Sequence, residues 1–434
     1  MRILVLGAGG FLGRVVAVRL AEAGHAVIPA VRNPASVARA AFTEAPVPFD
    51  LAKDGIADWV PRLAGIDAVV NAVGIFREGP GASFRRVHQD GPTALFDACR
   101  QAGIRRIVQI SALGADAEAN TAYHRTKKAA DDHLRGFQPQ AGDPTWVILR
   151  PSVVIGRGGA STELFAMLGR MPLRLVPAGE TWRVQPVDVN DLADAALAVL
   201  EADTPDPVCL DLVGPVPMTF DALLDHLGHW AGGGGVLKLP VGHRVWSLAA
   251  ALADHLPGHP FGRDALAMLR RGNTGDPAPL ARWLGWPPRS LDESLARLFL
   301  SPIERLGLRM APYRIPLRLS LAAVWIITGI VSLGVHPPSD SLAMLAEVGL
   351  TGPVALGALI AASLWDLGLG VALLIGWRVP LIGWLQIATM VVFTLVIAIG
   401  LPQWLTHPFG PVLKNLPILV STLLMIRVEE HRHG

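Results

Sequence analysis

The sequence predicts an α/β, doubly wound parallel sheet followed by a C-terminal α-helical transmembrane bundle. Three observations carry this. A glycine-rich turn, Gly7 to Gly13, stands between a short apolar run and a run with helical spacing. Strand-like and helix-like segments then alternate as far as Ile110. The last third holds long stretches without a charged residue.

At 434 residues the chain exceeds one ordinary domain. Charged residues make up 17%, against roughly 25% in soluble domains, and the deficit lies mostly in the last third. A net charge of +2 gives no basis for electrostatic binding of nucleic acid. Cys99 and Cys209 form no metal or disulfide pattern and read as small buried hydrophobes in a reducing compartment. Met1-Arg2 and the apolar run after it superficially resemble a secretory signal, but a strand–turn–helix unit explains the same residues better.

Ile3 to Leu6 suits a parallel strand buried on both faces. It runs into Gly7, Gly9, Gly10, Phe11, Leu12 and Gly13, after which Val15, Val16, Val18, Leu20 and Ala21 continue at helical spacing. Such a turn allows close approach to a pyrophosphate, whose charge then faces the helix N-terminus. Val27 to Val31 is the second strand. Where an acid would meet ribose hydroxyls, Arg32-Asn33-Pro34 follows. Arg32 either pairs with a 2′-phosphate, favouring NADP(H) over NAD(H), or is a solvent-exposed loop arginine. Asp50-Leu51 closes a third strand near Val47 to Phe49, with Asp50 placed to accept a bond from adenine. A fourth strand from Asp67 ends in Asn71, Ala72, Val73 and Gly74. A helix from His88 to Ala102 and a strand from Ile104 to Ile110 lead into Ser111.

Ser111 falls at that strand's carboxyl end, where a hydroxyl can orient a substrate oxygen. Tyr123 and Lys127 are four apart and share one helix face. A phenol with a pKa near 10 is a poor acid–base group at neutral pH, and a neighbouring ammonium lowers that value.

Together G-x-x-G-x-x-G at 7–13, N-A-V-G at 71–74, Ser111 and Y-x-x-x-K at 123–127 resemble the short-chain dehydrogenase/reductase superfamily. Leu149-Arg150-Pro151-Ser152 through Gly156 and Gln185-Pro186-Val187-Asp188 through Leu192 are similar to signatures of its extended and atypical branches. These branches include relatives of the NDUFA9 subunit of respiratory complex I and the NAD-dependent epimerase/dehydratases. The resemblance implies a Rossmann-like domain over 1–195 and a small substrate-capping subdomain over 196–305. It implies Tyr123 as general acid/base, Lys127 on the nicotinamide ribose and Ser111 positioning the substrate. His88 stands where extended members commonly carry Asn.

Beyond 195, helices are expected over Phe220–Trp230, Trp246–Leu256 and Asp264–Arg271, with a strand through Val236 to Leu239. His226, His229, His243, His255 and His259 are irregularly spaced with no acid cluster, so no metal site is expected.

Residues 306–434 read as a membrane domain of about four spans: Leu319 to Ser339, Gly352 to Trp377, Val379 to Leu401, and a shorter one from about Val412 to Val428. Arg305, Arg309, Arg314 and Arg318 precede the first span, Arg378 separates the second and third, and Arg427 and Arg432 follow the fourth. By the positive-inside rule both termini are cytoplasmic, in the inner (cytoplasmic) membrane. Asp366 falls within the second span, where a carboxylate needs a partner or lines a path. Gly329, Gly357, Gly368, Gly370 and Gly383 suit close helix packing. W-D-L-G-L-G-V-A-L-L at 365–374 and His407-Pro408-Phe409-Gly410-Pro411 resemble the DoxX-like four-helix membrane family.

The expected activity is a membrane-anchored NAD(P)(H)-dependent oxidoreductase acting on a small, lipophilic or quinone-like molecule. The alternatives are a non-catalytic NADP(H)-binding assembly or sensor module of a membrane protein complex, and a sugar-nucleotide epimerase/dehydratase. Expected partners are the substrate and the lipid bilayer, with no nucleic acid.

Overall fold

The computed structural model describes the chain except residues 37–41, 43, 80, 138–142, 180, 203–206, 255–261, 300–301, 406–412 and 431–434. The chain divides into two compact units, Met1–Phe299 and Leu300–Gly434.

Unit 1 begins with β1 (Arg2–Leu6), α1 (Phe11–Glu22), β2 (Ala26–Val31), β3 (Val47–Pro48), α2 (Ile56–Arg62) and β4 (Ala68–Asn71). α3 (Gly91–Gln101), β5 (Arg106–Ile110), α4 (Ala122–Arg135) and β6 (Thr145–Pro151) follow. The period-two alternation of a strand splits β1 between two cores. Ile3 and Val5 join α1 residues Val16, Ala17 and Leu20 on one face. Leu4 and Leu6 join Trp59, Leu95 and Leu134, from α2, α3 and α4, on the other. Burial on both faces is why these strands read as continuous apolar runs. The helix expected from His88 opens instead with a π turn, Arg85–Asp90, before α3. Such turns concentrate at functional sites.

After β6 the chain leaves the sheet through β7 (Val154–Ile155), α5 (Ala160–Gly169), β8 (Leu173–Pro177), β9 (Arg183–Val184) and β10 (Val187–Asp188). α6 (Val189–Glu201) returns it to the sheet as β11 (Val208–Leu212). A second excursion holds β12 (Met218–Thr219), α7 (Phe220–Trp230), β13 (Leu237–Val241), α8 (His243–Ala253), α9 (Arg263–Arg271), α10 (Ala278–Leu284) and α11 (Leu291–Arg297). The main sheet has seven strands in the order β11-β6-β5-β4-β1-β2-β3, all parallel. The order reverses between β1 and β4, the position where open α/β sheets bind ligands beyond the strands' carboxyl ends.

The segment Gln185 to Leu192 fastens the two excursions together. Buried Gln185 donates from Nε2 to the Gly214 carbonyl (2.6 Å) and accepts the Gly275 N–H (3.0 Å). Asp191 is ion-paired with Arg289, and Asp194 with Arg19 of α1 at 2.6 Å.

Unit 2 consists of α12 (Pro302–Ile330) with a terminal π turn (Val331–Val335), α13 (Pro338–Glu347), α14 (Gly352–Ile375), α15 (Val379–Gly400) and α16 (Asn415–Glu430). Among the described residues three segments are long and apolar enough to cross a membrane: Tyr313–Val335, Gly352–Ile375 and Val379–Gly400. The fourth expected span meets a shorter helix. α16 has 16 residues, about 24 Å at 1.5 Å per residue, against about 30 Å of hydrocarbon. Residue 412, residues 407–411 and Arg432 lie outside the described residues, as do His255 and His259.

Added Cβ atoms at Gly329 and Gly370 would fall 2.8 Å from the Ser363 carbonyl and 2.9 Å from the Ile326 nitrogen, so α12 and α14 pack backbone to backbone. Gly383 instead meets side chains of α16, those of Ile426 and Met425. Gly357 and Gly368 differ from expectation. Nothing lies within 4 Å of their Cβ positions, which puts them away from the helix contacts. Asp366 of α14 and Gln386 of α15 are both buried, and among the described residues Asp366 Oδ1 and both Gln386 amide atoms lack a hydrogen-bond partner.

Candidate nucleotide and catalytic site

The glycine turn is built by two backbone requirements. Gly7 has φ +77°, a left-handed conformation that glycine adopts freely, and its N–H donates to the Ala30 carbonyl on β2 (3.0 Å). Gly13 lies against that turn so closely that an added Cβ would sit 2.2 Å from the Gly7 oxygen. Gly10 caps α1 without a side-chain hydrogen bond, so the first N–H groups of Phe11 and Leu12 form a helix N-terminus beside exposed Gly9. The Phe11 ring packs against Gly156 and Gly159. This cradle suits a dinucleotide's pyrophosphate.

Arg32 is exposed directly after β2. Asp50 already accepts the Ala52 N–H at Oδ1 (3.1 Å), and its Oδ2 pairs with Lys53 at 3.0 Å. The Leu51 carbonyl lies against Gly91 at the start of α3. Asn71 turns inward: its amide donates to Gln109 (2.8 Å) and its oxygen accepts the Val73 N–H (3.2 Å). It braces the Ala72–Gly74 backbone, and a Cβ on Gly7 would meet the Ala72 oxygen at 3.2 Å. Pro151, at the end of β6, accepts the Leu113 N–H (2.9 Å) and ties the loop after Ser111 to the sheet.

Thr121 starts α4 by accepting the His124 N–H at 3.2 Å. Tyr123, Lys127 and Asp131 then follow at four-residue intervals on its buried face. Lys127 Nζ donates to the carbonyls of Val73 (3.2 Å) and Ile110 (3.1 Å), bridging the ends of β4 and β5. Ser111 donates to Asp131 Oδ2 at 2.5 Å. Tyr123 packs against Phe76 (5.5 Å between ring centroids) and edge-on to His88 (5.2 Å). His88, aimed inward by the π turn, accepts the Ile75 N–H at Nε2 (2.9 Å) and has Nδ1 3.4 Å from the Thr126 hydroxyl. That pattern fits a neutral ring protonated at Nδ1. A Cβ on Gly74 would lie 3.4 Å from Lys127 Nζ and 3.8 Å from His88 Nε2.

Burial governs the protonation of this cluster. It lowers Lys127 to about 8, with Asp131 opposing the shift, and raises Asp131 to about 6 against the pull of Ser111 and Lys127. Burial, then Lys127, depresses His88 far below the usual imidazole value. The expectation that Lys127 lowers the Tyr123 pKa is corrected. Burial foremost, and Asp131 next, raise the phenol above its ordinary value, while the ammonium's hydrogen bonds go to main-chain carbonyls.

Two groups escaped the sequence reading. Asp131 was visible as the next step of the Tyr123–Lys127 spacing, but a Lys-x-x-x-Asp pair also describes an ordinary surface ion pair. Arg271, on α9, reaches back 155 residues to Asp116 (2.6 Å) and donates to the Gly114 carbonyl (2.7 Å). It borders a cleft of about 580 Å³ lined by Glu118, Asn120, Ser247, Leu266 and Arg270.

Because folding raises the Asp131 pKa, the folded state binds this proton more tightly than the unfolded chain. Its contribution to stability therefore falls as pH rises from about 4 through about 6, and is constant only above about 7. Asp131→Asn removes this component. Thermal melts of both proteins in detergent at pH 4.5, 6.0 and 7.5 should show wild type losing most of this stability relative to the variant across the first interval and only a small remainder across the second.

Residues 7–203 match the NAD(P)H-binding family, and residues 322–423 match the DoxX-like family. The chain joins an NAD(P)-binding Rossmann domain to a DoxX-like membrane domain. It is similar to the ceramide reductase of Caulobacter vibrioides, 32% identical over 198 residues, which are 45% of this chain and 60% of that one. It is also similar to mitochondrial NADH dehydrogenase [ubiquinone] 1 alpha subcomplex subunit 9 of Arabidopsis thaliana, 30% identical over 210 residues, 46% of this chain and 50% of the relative. The matches thus span only part of these relatives' length. Among solved structures, MoeE5 in complex with UDP-glucuronic acid and NAD superposes with a TM-score of 0.53 at 19% identity, covering 69% of this chain and 97% of that one. A Thermotoga maritima UDP-glucose 4-epimerase gives 0.51 at 17% identity, covering 68% and 96%. These two likenesses concern the fold alone.

Proposed function

We propose that the protein is a membrane-anchored, NADP(H)-dependent oxidoreductase of the short-chain dehydrogenase/reductase type, acting at a carbonyl or alcohol carbon of a lipophilic small molecule. The observation that carries this reading is the gathering of Tyr123, Lys127 and Ser111 at the carboxyl edge of β4 and β5, with Gly74 against Lys127 and the Ala72 carbonyl against the glycine turn. NADP(H) held by the glycine turn and Lys127 would supply or accept the hydride. In the reductive direction Tyr123, whose burial holds the proton on at neutral pH, gives it to the nascent alkoxide. Ser111, which gives its one O–H to Asp131 here, would turn it to the substrate oxygen on binding. Lys127, protonated below about 8, keeps positive charge beside the phenol and the ribose position.

The two excursions, residues 152–188 and 214–297, cap the substrate in this reading in place of the expected 196–305, because Val208–Leu212 is a strand of the main sheet, and the cleft beside Arg271 admits it. Similarity to a ceramide reductase supports a lipophilic carbonyl compound. Similarity to a respiratory-complex subunit supports a second reading, nucleotide binding within a membrane assembly without turnover. An epimerase or dehydratase would instead show no net consumption of NADPH. The arginines at one end of the spans, Arg314 and Arg318 in the first turns of Tyr313–Val335, Arg378 between the next two and Arg427 near the end of α16, support the inner membrane with both termini cytoplasmic.

The cofactor test is nucleotide binding followed by tryptophan-to-nicotinamide energy transfer in detergent. A charge-assisted hydrogen bond is worth about 1.5–3 kcal/mol. Arg32→Ala should therefore raise the Kd for NADPH at least about tenfold and leave that for NADH unchanged. Equal Kd values for NADPH in both proteins would remove the NADP(H) preference. Binding of neither nucleotide by wild type would remove the oxidoreductase reading.

A further inference from the structure

We propose that unit 1 carries a bilayer-docking face formed by β8, β13 and the outer side of α8. β8 and β13 pair in parallel with Leu173 beside Leu237 and Leu175 beside Leu239. Period-two alternation puts these four leucines on one face of the ribbon, and all are exposed, Leu237 to 70%. The residues between them turn the other way. Arg174 and Lys238 meet Asp221 and Asp225 of α7 at 2.5–2.7 Å. The ribbon therefore presents its leucines outward and its charges inward, the reverse of a strand pair built to face water.

α8 repeats the arrangement one residue further on, joined to β13 through Gly242 alone. Ala250 and Ala253 are buried, with Trp246 packed on the Ala250 side, while Val245, Leu248 and Leu252, at spacings of three and four, stand 48%, 62% and 62% exposed. A helix that is apolar on both sides is covered on both sides. Two consecutive elements exposing apolar stripes make more than the scattered leucines of an ordinary surface.

The occupant is the lipid bilayer, because this chain brings one with it. Between the end of unit 1 at Phe299 and the first span at Tyr313 lie residues 300–312, which is 13 residues. Even fully extended they reach no more than about 45 Å, so unit 1 is always held close to lipid at high effective concentration. Exposed Arg244, next to Val245 on α8, gives the face a cation for anionic headgroups. Ser247 lines the cleft while Leu248 points outward, so a docked α8 is the wall between lipid and cleft.

The test uses the full chain in nanodiscs containing phosphatidylglycerol. Leu239→Cys and Leu248→Cys are labelled with an environment-sensitive fluorophore, and Ile56→Cys, exposed on α2, serves as reference. Docking predicts blue-shifted emission at 239 and 248. It also predicts at least a twofold loss of intensity with lipids spin-labelled near the headgroup, with position 56 quenched only by aqueous iodide. Iodide quenching at 239 and 248 equal to that at 56 would overturn the proposal. Protection from both quenchers would overturn it as well, because a second copy or another protein would then cover the face. Neither readout depends on turnover, so the proposal stands or falls apart from the oxidoreductase reading.

Discussion

Tyr123→Phe should lower kcat by about 10²- to 10⁴-fold, the usual worth of a positioned acid–base group, with NADPH affinity unchanged. The ring is packed against Phe76, Phe84, His88 and His124, and phenylalanine fills the same space. The substitution removes one hydroxyl and nothing else. Burial keeps that hydroxyl protonated well beyond neutral pH, so in reduction it is the acid and its loss leaves the alkoxide without a proton. Steady-state NADPH oxidation with a lipophilic carbonyl compound, run beside energy-transfer binding, separates the two effects. Turnover that survives the substitution would sink the catalytic role of Tyr123 and favour the assembly module.

Gly13→Ala should abolish nucleotide binding, with Kd raised more than about a hundredfold. The new methyl would lie 2.2 Å from the Gly7 oxygen, 2.6 Å from its carbonyl carbon and 3.1 Å from the Ala8 nitrogen. All three are main-chain atoms, so no side chain can rotate away and either the turn or α1 must shift. Overpacking of this kind costs about 1–3 kcal/mol, and the shift moves the helix N-terminus off the phosphate position. A thermal melt records the stability loss, and binding of NADPH and NADH records the rest. Loss of both nucleotides marks a pyrophosphate defect, in contrast to the selective effect expected of Arg32→Ala. Wild-type affinity in the variant would mean that the turn is not the phosphate cradle.

What the sequence made legible was local. The turn from Gly7 to Gly13 encodes its own geometry, since strand, glycines and helix are contiguous. The three long apolar segments were readable from length and charge alone. Tyr123 and Lys127 could be paired because a helix maps four residues onto one face. What could not be read depends on distant contacts. The carbonyls of Val73 and Ile110 hold Lys127, and only the folded sheet puts them side by side. The phenol's acidity was misjudged for the same reason: sequence shows the neighbouring ammonium but not the burial that outweighs it. Arg271 belongs to α9 by sequence and to the Gly114–Asp116 loop by contact.

The seventh strand of the sheet has an engineering consequence. β11 enters the sheet between the two excursions, and the buried hydrogen bonds of Gln185 fasten one excursion to the other across it. The material above the sheet is therefore not a cassette. Grafting specificity from a relative would require exchanging residues 152–188 and 214–297 together, with Gln185, Asp191 and Arg289 kept as matched fasteners. A chimera that replaced the later segment alone would keep the Gln185 bonds only if its main chain set a carbonyl and an N–H where those of Gly214 and Gly275 stand.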